Sequence, residues 1–283
     1  MKLFNLILDS GKYPSAWRKS LIILIHKSGD KSDSKNYRGI SLQNCIAKLF
    51  SSALNKRLVS HYKNLFSSQH FGFRPHHRTT DSLFILKTLI SKYVLKKKTK
   101  IFSCFVLLRK AFDTVWHNGL LYKLRINKIG HTFFNIIQNM YNLCQSAVKI
   151  DNKHSNYFNL EKGVKQGDSL STTLFNCFIN NIHAIFDQSC DPLKLDHTLL
   201  SSFADDLVIF SESHKGLQNA LYKLHKYCFD WQLTVNINKT KILTFQKTFS
   251  PTPCFFMIIN FLGTVIDHKG CFKRRIQELS KRV

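Results

Sequence analysis

The sequence is short of acidic residues: 17 Asp and Glu stand against 42 Lys and Arg, giving a formal net charge of +25. A surplus of that size repels itself in the free protein and is relieved along a polyanion, where phosphate contacts release counterions. Nucleic acid is the expected partner, with a membrane surface as the competing polyanion. The chain also lacks any C-x-x-C pair. Its eight cysteines are scattered among apolar residues, which points to small buried hydrophobes in a reducing compartment rather than a disulfide framework or a zinc site. No run approaches the roughly 20 apolar residues of a membrane span, and the opening Met1–Leu8 segment is too short for a secretory signal. A soluble intracellular protein, cytoplasmic or nuclear, is therefore expected. With five Pro and eleven Gly there is little to mark a linker, and no repeat or low-complexity stretch breaks the chain.

What is present suffices for a core: 44% hydrophobic residues, 24 of them Phe, in 283 residues. Apolar spacing predicts a short amphipathic helix over Met1–Asp9, a strand at Leu21–Ile25 and a helix from Ile40 to Leu58 carrying Ile46, Leu49, Phe50, Ala53 and Leu54 on one side. Thr79-Thr80-Asp81 is placed to cap a second long helix with Leu83, Leu86, Leu89, Ile90 and Val94 as its stripe. Ile101–Leu108 is continuously apolar, the pattern of a buried strand. Helices follow at Leu120–Leu124, Phe133–Tyr141, Ser171–Phe186 and Gly216–Trp231, with a hairpin about Asp151-Asn152 and strands at Lys241–Phe245 and Phe256–Leu262. A last helix is expected to begin at Lys273.

Two short apolar runs, Leu199–Phe203 and Leu207–Phe210, are separated only by Ala204-Asp205-Asp206, which suggests a hairpin with acids at its tip. Adjacent carboxylates repel, and one pKa rises unless a cation compensates. Mg²⁺ takes one or two carboxylates together with substrate phosphates, so the pair is a candidate metal site; a solvated turn is the competing reading. Gly163-Val164-Lys165-Gln166-Gly167-Asp168 opens the helix at Ser171, with Ser169 or Ser171 as its cap. Backbone amides at a helix N-terminus beside Lys165 suit an anionic ligand, although an ordinary capped turn has the same pattern.

Several blocks stand in order along the chain. They are Pro14-x-x-Trp17-Arg18, Lys27-x-Gly29-Asp30, Asn36-Tyr37-Arg38-Gly39-Ile40-Ser41-Leu42, Gln69-x-x-Gly72-Phe73-Arg74, Lys110-Ala111-Phe112-Asp113-Thr114-Val115, Gln166-Gly167, Phe203-Ala204-Asp205-Asp206, and Lys239-Thr240-Lys241 with Phe261-Leu262-Gly263. In this the sequence resembles the reverse transcriptase domain of non-LTR, jockey-like retrotransposons. The resemblance implies an α+β right-hand polymerase with a small antiparallel palm sheet packed on helices. It places fingers over residues 1–100, palm over 101–270 and the start of a connection to an otherwise missing thumb over 271–283. The implied reaction is DNA synthesis on an RNA template from a DNA primer and dNTPs with two Mg²⁺ ions.

Residue by residue, the resemblance implies that Asp205 and Asp206 are metal-binding catalytic carboxylates. Phe112 would crowd the sugar and exclude a ribose 2′-hydroxyl, Gln166 and Gly167 would let template and nucleotide approach, and Lys27 and Arg38 would hold the triphosphate. Lys239 would stand where a proton donor for pyrophosphate is possible. Each has a plainer reading, Phe112 as a core ring and the three cations as solvated charges. The sequence also departs from the family. The first palm strand carries an Asp three residues before Lys-Ala-Phe-Asp, and here that position is Leu107. A lost bridging carboxylate costs a two-metal site several kcal/mol, roughly a thousandfold or more in rate. Thr172 replaces a common Pro at the helix start, and no endonuclease segment precedes the fingers. The expectation is a truncated, catalytically impaired copy, with a non-catalytic basic nucleic-acid-binding remnant as the alternative.

Overall fold

In a computed structural model, which describes residues 2–186, 198–246, 258–262 and 264–267, the apolar patterns resolve into seven α-helices and eleven strands among the described residues. The first half of the chain holds α1 (Lys2–Ser10), β1 (Lys19–His26), β2 (Tyr37–Leu42), α2 (Cys45–Tyr62), α3 (Thr79–Leu89), β3 (Ile101–Leu107), α4 (His117–Ile126) and α5 (His131–Tyr141). Then come β4 (Gln145–Ile150), β5 (Lys153–His154), β6 (Phe158–Asn159), α6 (Ser169–Ile179), β7 (Thr198–Phe203), β8 (Asp206–Ser211), α7 (His214–Asp230), β9 (Lys241–Phe245), β10 (Ile258–Phe261) and β11 (Thr264–Asp267). Two compact units form, Met1–Leu65 with Lys110–Ile179 and Phe66–Arg109 with Asn180–Val283. Each takes chain from both sides of residue 100.

The first unit is built on a sheet in the order β2-β1-β4-β5, with β6 also on β4. β1 and β2 are antiparallel, His26 facing Tyr37 and Leu21 facing Leu42, whereas β4 joins β1 in parallel. Periodicity reveals a strand but not its distant partner, and the β1–β4 pairing has no sequence signature. An aromatic cluster anchors the N-terminal end: Tyr13 and Trp17 meet edge to face at 5.5 Å, and Phe50 lies against Phe4, Tyr13 and Trp17 at 5.2, 6.2 and 6.0 Å. Trp17 of the Pro14-x-x-Trp17-Arg18 block is thus buried core. Such ring pairs contribute on the order of 1 kcal/mol each beyond their area burial.

The second unit holds a four-stranded antiparallel sheet, β7-β8-β3-β9, and the β10-β11 pair. β3 is central, with every residue from Ser103 to Val106 buried; Ser103, the polar residue in this largely apolar run, donates its hydroxyl to the Leu243 carbonyl at 2.6 Å. Phe71, Ile85, Leu86, Leu89, Ile90 and Phe245 pack on it, and Phe105 meets Phe261 edge to face at 5.2 Å.

Three expectations need correction. Ile40 to Leu42 belong to β2, not to the following helix, because they complete the ladder with β1, and Asn44 then starts α2 by accepting from the Ile46 amide at 2.9 Å. Its buried face is Ala47, Phe50, Leu54, Leu58 and Tyr62, while Ile46 and Leu49 are exposed. The predicted Ser171–Phe186 helix is instead α6 followed by a 3₁₀ segment, Asn180–Ile185. At α3 the N-cap position is Arg78, and Asp81 of the expected capping triplet accepts from its amide at 2.8 Å; the helix runs on through a π-helical turn, Ile90–Lys96. The expected helix from Lys273 and the stretch 271–283 lie outside the described residues. Of the described cysteines, Cys104, Cys144, Cys177 and Cys228 are buried free thiols and Cys45 is exposed.

Candidate active site

The Asp pair sits where the hairpin pattern placed it. β7 and β8 run antiparallel with Phe203 facing Asp206, so Ala204 and Asp205 form the turn and Asp206 begins the second strand. Ala204 adopts φ of +57°, a left-handed conformation that glycine usually supplies and that costs an L-residue about 1–2 kcal/mol. The turn is tied to the end of β3, since the Leu108 amide donates to the Asp205 carbonyl at 3.1 Å.

Across the sheet, β3 and β8 pair so that Leu107 stands directly opposite Asp206. Opposed residues of an antiparallel pair project to the same face with Cβ atoms roughly 5 Å apart. Position 107 therefore shares a face with Asp206, and its occupant is aliphatic. The Leu107 carbonyl accepts from the Asn236 amide at 2.8 Å, and Asn236 begins the turn that carries Lys239. Lys239 is thereby close enough for its charge to act on Asp206. Burial, then the neighbouring Asp205 charge, raises the Asp206 pKa to about 6, and Lys239 opposes the shift. Burial and the adjacent like charge both disfavour the ionised form of Asp206, and Lys239 offsets them only in part.

The remaining candidates lie in the other unit. Lys27 and Arg38 are exposed at the loop end of the β1–β2 hairpin, where Ile25 faces Arg38 and the Lys27 amide donates to the Asn36 carbonyl at 2.8 Å. Strand alternation puts both cations on one face. Gly29, at φ of +87°, and Asp30, which accepts from the Ser32 amide at 2.9 Å, shape the tip beside them. The Gln166 carbonyl accepts from the Ser41 amide at 2.7 Å, fastening the glycine-punctuated loop to β2. Gly167 has φ of +110°, and a Cβ there would come within 3.3 Å of the Ser41 carbonyl oxygen. The Gln166 amide donates to Asp113 at 3.0 Å, and the Phe112 ring, half-buried, stacks on Phe175 at 4.8 Å with an interplanar angle of 20°. Gln166, Gly167 and the Phe112 segment are thus brought together, the last also through the Val164 amide donating to the Phe112 carbonyl at 2.8 Å.

Lys165, read from sequence as a residue for an anionic ligand, is buried instead. Its ammonium donates to the Arg18 carbonyl at 3.3 Å and faces the equally buried Asp168. Burial pushes the Asp168 pKa up and the Lys165 pKa down, and each charge counters the shift in the other. Asp168 also caps α6, accepting from the Leu170 amide at 3.2 Å, so neither Ser169 nor Ser171 is the cap. An Asp-Ser step ahead of an apolar run is a legible cap signal. Lys123, fully buried on α4, had none: its ammonium reaches the Phe178 carbonyl and lies 4.8 Å from the Phe178 ring, and burial lowers its pKa to about 6.

Among the described residues no group of three or more His, Cys, Asp or Glu side chains converges. The Asp205–Asp206 pair suits one Mg²⁺ completed by substrate phosphates.

The model of the family "Reverse transcriptase (RNA-dependent DNA polymerase)" matches residues 25–272. The chain belongs to the reverse transcriptase family. Similar relatives are mobile-element polymerases of the non-LTR class. The RNA-directed DNA polymerase from mobile element jockey of Drosophila melanogaster is 25% identical over 99% of this chain and 32% of its own length. The probable RNA-directed DNA polymerase from transposon BS of the same species is 28% identical over 99% of the chain and 31% of its own. The chain thus spans about a third of these relatives. Telomerase from Candida tropicalis, solved in complex with a fragment of telomeric RNA, shares the fold with a TM-score of 0.64 at 14% identity, over 91% of this chain and 44% of that one. The reverse transcriptase fold of fingers and palm accounts for the mixed helices and sheets.

Proposed function

We propose that this chain is the RNA-directed DNA-synthesis region of a mobile-element protein, with Asp205 and Asp206 as its metal-binding catalytic carboxylates and its rate severely reduced by Leu107. The observation that carries the proposal is the register of β3 on β8, which sets Leu107 opposite Asp206 beside a carboxylate whose pKa is raised to about 6. Bound at the pair, Mg²⁺ would acidify the primer 3′-hydroxyl and offset charge on the α-phosphate and the leaving pyrophosphate.

The chain's own residues divide the remaining work. Lys27 and Arg38, on one face of their hairpin, bind the triphosphate by charge-assisted hydrogen bonds. Phe112, braced by Phe175, closes the space that a ribose 2′-hydroxyl would need. Gln166 and Gly167 present backbone closely to template and nucleotide, for which the missing Cβ of Gly167 leaves room. Lys239 holds a proton near the carboxylates for the leaving pyrophosphate. Residues 1–100 act as fingers and 101–270 as palm. The partners are an RNA template, a DNA primer and dNTPs, in keeping with the RNA-directed DNA polymerases among its relatives and the charge of +25. No described helix is long and apolar enough to cross a membrane, and we place the protein inside the cell.

A second reading, a non-catalytic nucleic-acid-binding protein, is favoured by the same leucine: removing the third carboxylate leaves the positive surface untouched. Primer extension on an RNA template with dNTPs and Mg²⁺ separates the two. The proposal expects template-dependent extension that Leu107→Asp raises strongly and Asp205→Ala abolishes. Extension by the unmodified chain that neither substitution alters would refute it, and none by Leu107→Asp would leave binding as the function.

A further inference from the structure

The Asp205–Asp206 turn is backed by a distant piece of chain. Gln69–Phe71 lies alongside β7: the Ser202 amide donates to the Gln69 carbonyl at 3.0 Å, and the Phe71 amide donates to the Ser202 carbonyl at 2.8 Å, with His70 facing Ser202 in a parallel bridge. The side chains repeat the attachment. Ser202 Oγ bonds His70 Nδ1 at 2.8 Å and His183 Nε2 at 3.0 Å, and all three residues are buried. Arg74 braces the segment by donating from Nη1 to the Ser67 and His70 carbonyls at 2.7 and 2.9 Å.

At Gly72 the approach reaches a steric limit. A Cβ on this residue would lie 2.1 Å from the Ala204 nitrogen, 2.9 Å from its Cα and 3.0 Å from the Phe203 carbonyl carbon. These are backbone atoms that cannot swing aside. They belong to the turn that holds the carboxylates, and Ala204 is itself in the left-handed region at φ of +57°. A turn with two repelling carboxylates and a left-handed alanine tends to splay; the Leu108 amide holds it on the β3 side, and Gln69–Gly72 backs it on the β7 edge.

We propose that Gln69–Gly72 is a buttress that sets the position of the Asp205–Asp206 turn, and that Gly72 is a positioning residue for the metal site. The inference rests on the metal-binding reading of that pair for its functional meaning and on backbone geometry for the buttress itself. Catalytic constellations tolerate misplacement of only about 0.5 Å, less than an added Cβ at Gly72 imposes on Ala204.

Two measurements on the full chain test it. The first is amide hydrogen exchange. If the buttress and turn open together, the Phe71 and Ser202 amides of the unmodified chain keep protection within about tenfold of the Leu108 amide, which reports the turn through its bond to Asp205. Gly72→Ala then lowers Leu108 protection by about tenfold or more while Ala147 and Val148 in β4 keep theirs. Phe71 and Ser202 amides exchanging about a hundredfold faster than Leu108 in the unmodified chain would overturn the proposal, and this comparison decides it even where Gly72→Ala fails to fold. Unchanged Leu108 protection in a folded Gly72→Ala protein would overturn it as well.

The second is Mn²⁺ binding followed by electron paramagnetic resonance, with Asp205→Ala as reference. Gly72→Ala is expected to weaken binding about tenfold, as a displaced ligand pair should. Binding equal to that of the unmodified chain refutes the positioning role. Equal binding by the unmodified chain and Asp205→Ala would instead remove the metal-binding reading, and the exchange result alone would then judge the buttress.

Discussion

Replacing Leu107 by Asp should make the protein less stable without a divalent ion and more responsive to one. In register, the new carboxylate would stand opposite Asp206 and near Asp205. Two like charges about 5 Å apart repel by roughly 3 kcal/mol at an effective dielectric constant of 20, and screening at a half-buried site trims this to about 2 kcal/mol. Losing the partly buried leucine adds about 1 kcal/mol. For a chain of this size, about 3 kcal/mol lowers the melting temperature by roughly 6–12 °C. Leu107→Asn is the control, since it removes the same apolar contact without adding charge. In EDTA the Asp variant should melt below the Asn variant. In saturating Mn²⁺ the order should reverse, because the third carboxylate now faces a cation, with affinity rising about thirtyfold for about 2 kcal/mol. Differential scanning fluorimetry against Mn²⁺ concentration reads both effects. Asp and Asn variants melting together in EDTA, or a metal response no larger in Asp than in Asn, would refute the placement of residue 107 in the metal site.

Other consequences follow from neighbouring groups. Lys123 has a folded pKa of about 6, below its ordinary 10.5, so between these values the unfolded chain holds a proton that the folded chain lacks. Stability should rise with pH across this window by up to about 1.4 kcal/mol per unit and fall toward acid, where the buried amine must charge. Lys123→Met should flatten that slope and stabilise the protein near neutral pH by about 1–4 kcal/mol; denaturant melts from pH 6 to 9 that superimpose for the two proteins would contradict this. In a Leu107→Asp background, Phe112→Val should increase ribonucleotide addition relative to deoxynucleotide addition about tenfold or more if the ring gates the sugar. Unchanged selectivity with lowered stability would mark Phe112 as a core ring stacked on Phe175. Affinity for single-stranded RNA should fall log-linearly with salt at a slope of about −0.7 per phosphate contact, and a flat filter-binding titration from 50 to 300 mM KCl, about a sixfold range, would exclude counterion release as its source.

Local pattern made much of the fold legible, and long-range pairing made the rest opaque. The apolar run at Ile101–Leu107 and the short runs about Ala204-Asp205-Asp206 became β3, β7 and β8 because a buried strand and a tight hairpin announce themselves in nearby residues. The β2 ladder was missed because Ile40–Leu42 carry helix-compatible side chains, and only pairing with β1 makes them extended. Face assignment in α2 failed for a related reason: Ala47 and Leu58 are buried by what packs there, whereas Ile46 and Leu49, more hydrophobic than Ala47, point outward. In the site, the carboxylate pair and Leu107 could be named from the family blocks, but that 107 faces 206 is a matter of register. Lys165 and Lys123 were illegible for a further reason, since nothing local tells a buried cation from a solvated one. The close approach of Gly72 to Ala204 joins two blocks that the sequence presents far apart.

The most direct test of the central claim is the single-turnover rate of nucleotide addition on an RNA template at saturating Mg²⁺, compared between the unmodified chain and Leu107→Asp. A reverse transcriptase region lacking one bridging carboxylate should gain about a thousandfold on its restoration, with Asp205→Ala erasing the gain. Equal rates for the two proteins would contradict the assignment of Leu107 as the lost metal ligand.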